Sequence, residues 1–226
     1  RNDILTSYLT RPQWVGVALA AGNLGETKNS GYEIELKHNN RINEDLSYNV
    51  GLTYSHARNE IISMDEPELK TAYRKREGNP ISQYFGLIAE GFVTQADLDN
   101  PDFPVSTFGT VKVGDLKYKD ANGDGFIDDR DESRIGYSDI PENTYALSLG
   151  VNYKGWGFSV MFQGVDHVSR YYDAEAMYAF VSGGKVKEHH LGRWNPEQSE
   201  AYNLQHATYP LLHYDNYGDH NQRTNS

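Results

Sequence analysis

Four segments of the chain alternate apolar and polar side chains at every second position. In GYEIELKH, Tyr32, Ile34 and Leu36 fall on one face and Glu33, Glu35 and Lys37 on the other. In LSYNVGLTYSHA, Leu46, Tyr48, Val50, Leu52 and Tyr54 oppose Ser47, Asn49, Gly51, Thr53 and Ser55. TYALSLGVNYK sets Tyr145, Leu147, Leu149, Val151 and Tyr153 against Ala146, Ser148, Gly150 and Asn152. GFSVMFQGV repeats the pattern more weakly, with Phe158, Val160 and Phe162 on one face. Successive side chains of a strand point to opposite sides, so period-two alternation predicts four strands with unlike faces.

Two architectures share this pattern. One is an antiparallel sheet with one face on a soluble core. The other is a transmembrane barrel, whose strands of about 9–11 residues turn apolar side chains to lipid and polar ones to the lumen. The polar faces carry small residues and amides, as a wet lumen requires, and tyrosines stand near the ends of the apolar faces, as an interfacial girdle does. Connection lengths point the same way. The first pair of strands is joined by NNRINED and the second by KGWG, whereas residues 59–143 separate the pairs and residues 167–226 follow the last strand. Short turns alternating with very long loops are the habit of an outer-membrane barrel, and a compact soluble domain rarely needs such loops.

The barrel reading divides the chain into barrel strands with a short periplasmic turn (1–58), a long extracellular loop (59–143), a barrel hairpin (144–166) and a second extracellular loop (167–226). Four strands cannot close a barrel, and lipid does not tolerate an open edge. Most of the wall is then expected to lie outside this sequence, which also begins abruptly and without Met. The fold expected is all-β, an incomplete section of an antiparallel transmembrane β-barrel with long extracellular loops containing short helices. TQADLDNPDFP reads as one such helix closed by prolines, the charged IISMDEPELKTAYRKREGNPI as another, and ISQYFGLIAEGFV as extended chain.

Composition narrows the function classes. With 32 acidic against 21 basic residues the net charge is −11, which argues against a nucleic-acid partner. There is no cysteine, hence no thiolate nucleophile and no disulfide framework. No apolar run is long enough for a transmembrane helix, and the opening residues lack the apolar core of a signal peptide. The 17 Tyr and 21 Gly suit β structure with polar loops.

The sharpest local motif is DANGDGFIDDRD. A calcium loop supplies oxygens from positions one, three, five, seven, nine and twelve, with glycine at six for the turn. Those positions are Asp120, Asn122, Asp124, the Phe126 carbonyl, Asp128 and Asp131, and the sixth is Gly125. Calcium wants six to eight hard oxygens, which such a turn provides. The twelfth residue is Asp where Glu is usual, and the flanks are not amphipathic helices, so a structural clip is expected in preference to a helix-loop-helix sensor. The competing reading is that Asn-Gly and Asp-Gly simply make turns.

Five blocks in order resemble a known family: NLGETKNSGYEIEL, GNPISQYFGLIAEGFV, GDLKYKDANGDGFIDDRDESRIG, NTYALSLGVNYKGWGFSVMFQGV and RWNPE. From about Asn23 to Glu197 the chain is similar to SusC/RagA-type TonB-linked outer-membrane transporters of Bacteroidetes. The resemblance implies a 22-stranded barrel in the outer membrane of a Gram-negative cell, with loops extracellular and an N-terminal plug through which the TonB complex supplies energy. It implies a SusD-like surface lipoprotein as lid, a glycan or peptide as substrate, and outer-membrane lipid around the wall. The chain departs from the full pattern in carrying neither plug nor terminal strands, so by itself it is expected to transport nothing. The alternative class is a soluble β-rich, calcium-dependent module that binds glycan or protein.

Other chemistry finds little support. Tyr171, Tyr172, Tyr178, Tyr202, Tyr209, Tyr214, Tyr217 and Trp194 offer stacking surfaces, with loop packing and lid contact favoured over substrate contact. His189, His190, His206, His213 and His220 fit no compact zinc spacing and are expected at surfaces or interfaces. GxSxG is absent, and SGGK at 182–185 lacks the Walker spacing. No pair of carboxylates is singled out for glycoside hydrolysis, so no enzyme is expected.

Overall fold

The computed structural model describes residues 4–6, 22–66, 71–172, 176–214 and 220–222. Eleven strands and two short α-helices follow one another: β1 (Ile4–Thr6), β2 (Gly22–Arg41), β3 (Leu46–Ser63), β4 (Gln83–Gly86), β5 (Ala89–Phe92), α1 (Gln95–Asp99), β6 (Val105–Ser106), β7 (Leu116–Tyr118), β8 (Phe126–Ile127), β9 (Ser133–Ser138), β10 (Asn143–Tyr153), β11 (Trp156–Asp166) and α2 (Glu200–His206). They form two compact units. The first comprises residues 1–70, 75–84 and 136–169, and the second residues 71–74, 85–135 and 170–226.

The first unit is a five-stranded sheet in the order β1-β2-β3-β10-β11. The four alternating segments are its four long strands. Their registers align the apolar positions across the sheet: Leu36 faces Leu52, Leu52 faces Leu147, and Leu147 faces Phe162. One face is therefore mainly hydrocarbon and aromatic ring from β2 to β11, interrupted by His38 and Asn40 on β2, and it is open, with Leu36 58% and Phe158 67% exposed. The opposite face carries Glu33, Ser55 and Thr144 in one cross-strand row, and Glu35, Thr53, Ala146 and Gln163 in the next. No described helix is long and apolar enough to cross a membrane, which says nothing about crossing with strands.

Both turns are local products of sequence. Asn43 Oδ1 accepts the backbone N–H groups of Asp45 (3.0 Å) and Leu46 (2.8 Å), closing the β2–β3 connection. Lys154 and Gly155 have φ of 47° and 85°, the positive pair that a two-residue type I′ hairpin demands.

The strands run further than the alternation indicates. β3 continues five residues past Arg58 to Ser63, and β2 begins at Gly22, ten before Tyr32. Pairing of β3 with β10 ends at His56 opposite Asn143, while β2 and β3 go on together as a two-stranded ribbon to Glu26 opposite Ser63. The ribbon is held by the β2–β3 ladder and by bonds of β3 to residues 78–81, from Ile61 to Gly78 and Asn79 and from Ile81 N–H to Asn59 Oδ1, none of which calls for alternating side chains.

The second unit is built from small pieces. β5 pairs antiparallel with β7, and β6 parallel with β8. Leu87, Tyr118 and Ile127 form a buried cluster with Ala89, Phe108 and Leu116 packed against it. The helix expected in TQADLDNPDFP is α1, whose Thr94 cap accepts from Asp97 N–H while Asp97 Oδ2 accepts from Thr94 N–H, a capping box. In IISMDEPELKTAYRKREGNPI the structure has a single 3-10 turn at Ala72–Arg74, and residues 67–70 lie outside the described residues. ISQYFGLIAEGFV is extended as expected, in β4 and β5.

Candidate functional site

The loop DANGDGFIDDRD closes on itself through its own carboxylates and amides. Asp120 accepts from Gly123 N–H (2.7 Å) and Gly125 N–H (2.8 Å) through its two oxygens. Asn122 Oδ1 accepts from Asp124 N–H, and Asp124 Oδ1 from Phe126 N–H. The Asn122 and Asp124 bonds, each to the amide two residues on, are Asx turns, the local geometry for which Asn and Asp are suited. Gly125 takes φ of 80°, the left-handed conformation that the sixth position requires of it. Asp131 is 1% exposed and folds back to the start of the loop, accepting from Ala121 and Asn122 N–H on one oxygen and from Asp128 N–H on the other. All six positions singled out in the sequence are thus gathered into one closed turn. The two bonds from the β6 strand go to the carbonyls of Gly125 and Ile127, on either side of the Phe126 carbonyl.

A residue that the sequence did not single out completes the loop. The Arg130 guanidinium lies 2.9 Å from Asp124 and 2.6 Å from Asp128. Hydrogen bonds from Arg130 hold the Asp128 carboxyl below the usual carboxylate range, against a smaller opposing effect of burial. Two of the acidic positions are therefore paired with the protein's own cation. Among the described residues no group of three His, Asp or Glu side chains is arranged to hold a metal ion, and Arg130 occupies carboxylate oxygens of Asp124 and Asp128 that a calcium ion would use.

The histidines depart from expectation. His190 and His220 are buried, 0% and 2% exposed, where surface positions were expected. His190 Nδ1 accepts from Lys187 N–H and its Nε2 donates to the Met177 carbonyl; burial holds its pKa below the ordinary 6.5. His220 Nε2 donates to the Leu116 carbonyl while Ser106 Oγ lies 2.7 Å from Nδ1. His213 Nε2 donates to Asp115, which is fully buried and also accepts from Asn221 Nδ2 and Lys112 N–H. His206 bonds the Tyr202 carbonyl within α2. His190, His206 and His220 thus satisfy backbone groups and His213 a buried carboxylate, because buried polar atoms need partners.

The aromatics divide. Trp194 is 3% exposed and meets Phe92 edge-on, so it packs the second unit. Tyr178 is buried and donates to the Gln222 carbonyl (3.3 Å); Tyr209 donates to the Met177 carbonyl (3.1 Å), and burial raises its pKa to about 12. Tyr202 stacks on His206, while Tyr172 and Tyr214 stand largely exposed. Tyr217 lies outside the described residues.

No family model matches the chain. Two curated relatives do, both from Formosa agariphila. TonB-dependent receptor P3 is 23% identical over 67% of this chain, and TonB-dependent receptor P26 is 26% identical over 87% of it. The RagAB peptide transporter superposes over 99% of the chain with a TM-score of 0.63 at 19% identity, and the same importer in its open-open state with 0.64 at 18%. In sequence the chain is thus similar to TonB-dependent receptors, and in fold to the RagAB transporter. It spans 16% and 20% of the length of the two curated relatives, and 24% and 23% of the two solved chains. At these identities the solved structures establish the fold.

Proposed function

We propose that this chain forms part of the wall and outer loops of a TonB-dependent outer-membrane importer of glycans or other oligomeric nutrients. The observation that carries the reading is the open, mainly apolar face across β2, β3, β10 and β11, set against a face rich in Gly, Ser, Thr and Glu. A water-soluble sheet buries such a face. A barrel turns it to lipid and wets the other. On this reading outer-membrane lipid covers the apolar face, the long connections lie outside the cell, a SusD-like lipoprotein is the lid, and the TonB complex acts through a plug elsewhere in the protein. The likeness to receptors and to a peptide importer supports transport over catalysis. It leaves glycan and peptide both as substrate classes.

The test is location and behaviour. The complete protein is expected in the outer-membrane fraction and to need detergent for extraction. These 226 residues alone are expected to give no cooperative melt in plain buffer; a sharp melt there would replace this reading with that of a soluble calcium-dependent binding module.

Calcium at the loop is a second proposal, with Asp120, Asn122, Asp124, Phe126, Asp128 and Asp131 as ligands and a structural role. It is supported by the closed turn that these residues form and by Gly125 at its bend, and Arg130 would compete with the ion for Asp124 and Asp128. Arg130→Ala is therefore expected to tighten calcium binding in calorimetric titration of the complete protein, and Asp120→Ala with Asp124→Ala to abolish it. No heat from either the wild type or Arg130→Ala at millimolar calcium would sink the proposal.

A further inference from the structure

We propose that a cavity beside Arg170 in the second unit binds a carboxylated sugar ring. The cavity has a volume of about 350 Å³ and is walled by Arg170, Tyr171, Tyr172, Tyr178, Tyr209 and Thr208, with Met177 and Pro210 completing its apolar surface. That volume is within the range of about 300–1,000 Å³ of small-ligand sites, toward the size of one or two rings.

Two features give the ligand its chemistry. The first is charge. Arg170 makes no ion pair or hydrogen bond with the described residues, in a chain with 32 carboxylates to 21 basic groups. No Asp or Glu is among the described residues lining the cavity. A guanidinium that has no partner among the described residues is, at a cavity wall, a two-pronged donor matched to a carboxylate. The second is shape. The Tyr178 and Tyr209 hydroxyls are tied to the carbonyls of Gln222 and Met177, so the two rings are held in place and offer faces in preference to hydroxyls. Flat, fixed aromatic faces suit the apolar face of a pyranose.

The same bonds argue against a peptide. A peptide terminus would need partners for its own N–H and C=O groups, but both those hydroxyls are spent. The Asn221 amide is spent as well, on Asp115, on the Leu211 carbonyl and on Leu116 N–H. A sugar stacked on the rings keeps its outward hydroxyls in water, and Tyr172, 66% exposed, borders that open side.

The inference rests on the importer reading for the presence of such a ligand outside the cell, and names the substrate class that the reading leaves open. Calorimetric titration of the complete receptor in detergent with a galacturonate trisaccharide, the neutral galactose trisaccharide and a tripeptide ending in Phe tests it. The acidic sugar is expected to bind about tenfold tighter than the neutral one, the order of one charge-assisted paired contact. Arg170→Ala is expected to erase that difference, Arg170→Lys to restore part of it, and Tyr172→Ala to weaken both sugars alike. Equal affinity of wild type and Arg170→Ala for the acidic sugar, binding of the tripeptide alone, or binding of none of the three overturns the inference. Cell fractionation separates the two claims: an outer-membrane protein that fails the titration refutes this site only, and a soluble protein that passes it refutes the importer reading only.

Discussion

At the scale of single residues, the second unit is pinned by buried polar groups. Asp115 is the extreme case, a fully buried carboxylate bonded to His213, Asn221 and the Lys112 amide. Removing one partner of a buried pair costs about 3–5 kcal/mol, since the remaining charge is left without compensation. His213→Ala is accordingly expected to lower the unfolding midpoint of the complete protein markedly, whereas His206→Ala, at an exposed site on α2, is expected to leave it nearly unchanged. His190 makes a pH prediction. Its folded pKa lies below the ordinary value, so the unfolded chain binds the proton more readily. Its contribution is intact above about pH 6.5 and is lost as pH falls below that value toward the folded pKa. Melting temperatures measured at pH 7.5 and pH 5 are expected to differ more for wild type than for His190→Gln. Asp97 shows the opposite balance: burial disfavours its charge, yet Lys117 at 2.5 Å and the Thr94 cap outweigh burial and hold the carboxyl below its usual range.

At the scale of elements, β10 and its neighbours decide the membrane question. Leu149 stands opposite Val50 and Val160 on the apolar face; Ser148, one residue earlier, is on the polar face opposite Gly51. A basic side chain on the lipid face near the bilayer midplane costs about 2–4 kcal/mol, and much less toward a wet lumen. Leu149→Arg is expected to reduce the folded protein recovered from outer membranes, and Ser148→Arg to leave it near wild type; equal recovery would count against the lipid assignment. The four alternating strands were legible in sequence because period two is a local property. The extensions of β2 and β3 were not. GNLGETKNS and NEIIS pair through backbone groups, to which side-chain type is nearly irrelevant, so no pattern announces them. The weaker alternation of β11 has its own cause: Met161 and Val165 lie on the otherwise polar face, both exposed, and blur the signal.

At the scale of the whole molecule, two units of unlike construction alternate along one chain. The first spends its sequence on two chemically opposite faces. The second has almost no regular structure and relies on contacts between distant segments, such as Asn221 to Asp115 and His220 to Leu116. The amino-acid sequence by itself determined which residues share a strand face, where the hairpin turns, and that DANGDGFIDDRD would close as a turn with Gly125 at its bend. Each of these is set by neighbours a few residues apart. Only the tertiary structure decided that His190 and His220 are interior, that the Asp115 side chain has three partners, and that Arg170 lines one cavity with Tyr178 and Tyr209. These depend on segments well separated along the chain meeting in space, 98 to 106 residues apart for Asp115 with His213 and Asn221 and for His220 with Leu116, and burial of a polar group is fixed by that meeting and not by its place in a local pattern. Arg130 lies between the two cases. It was present in the quoted motif throughout, but only its side chain's reach to Asp124 and Asp128 revealed that the loop already holds a cation of its own.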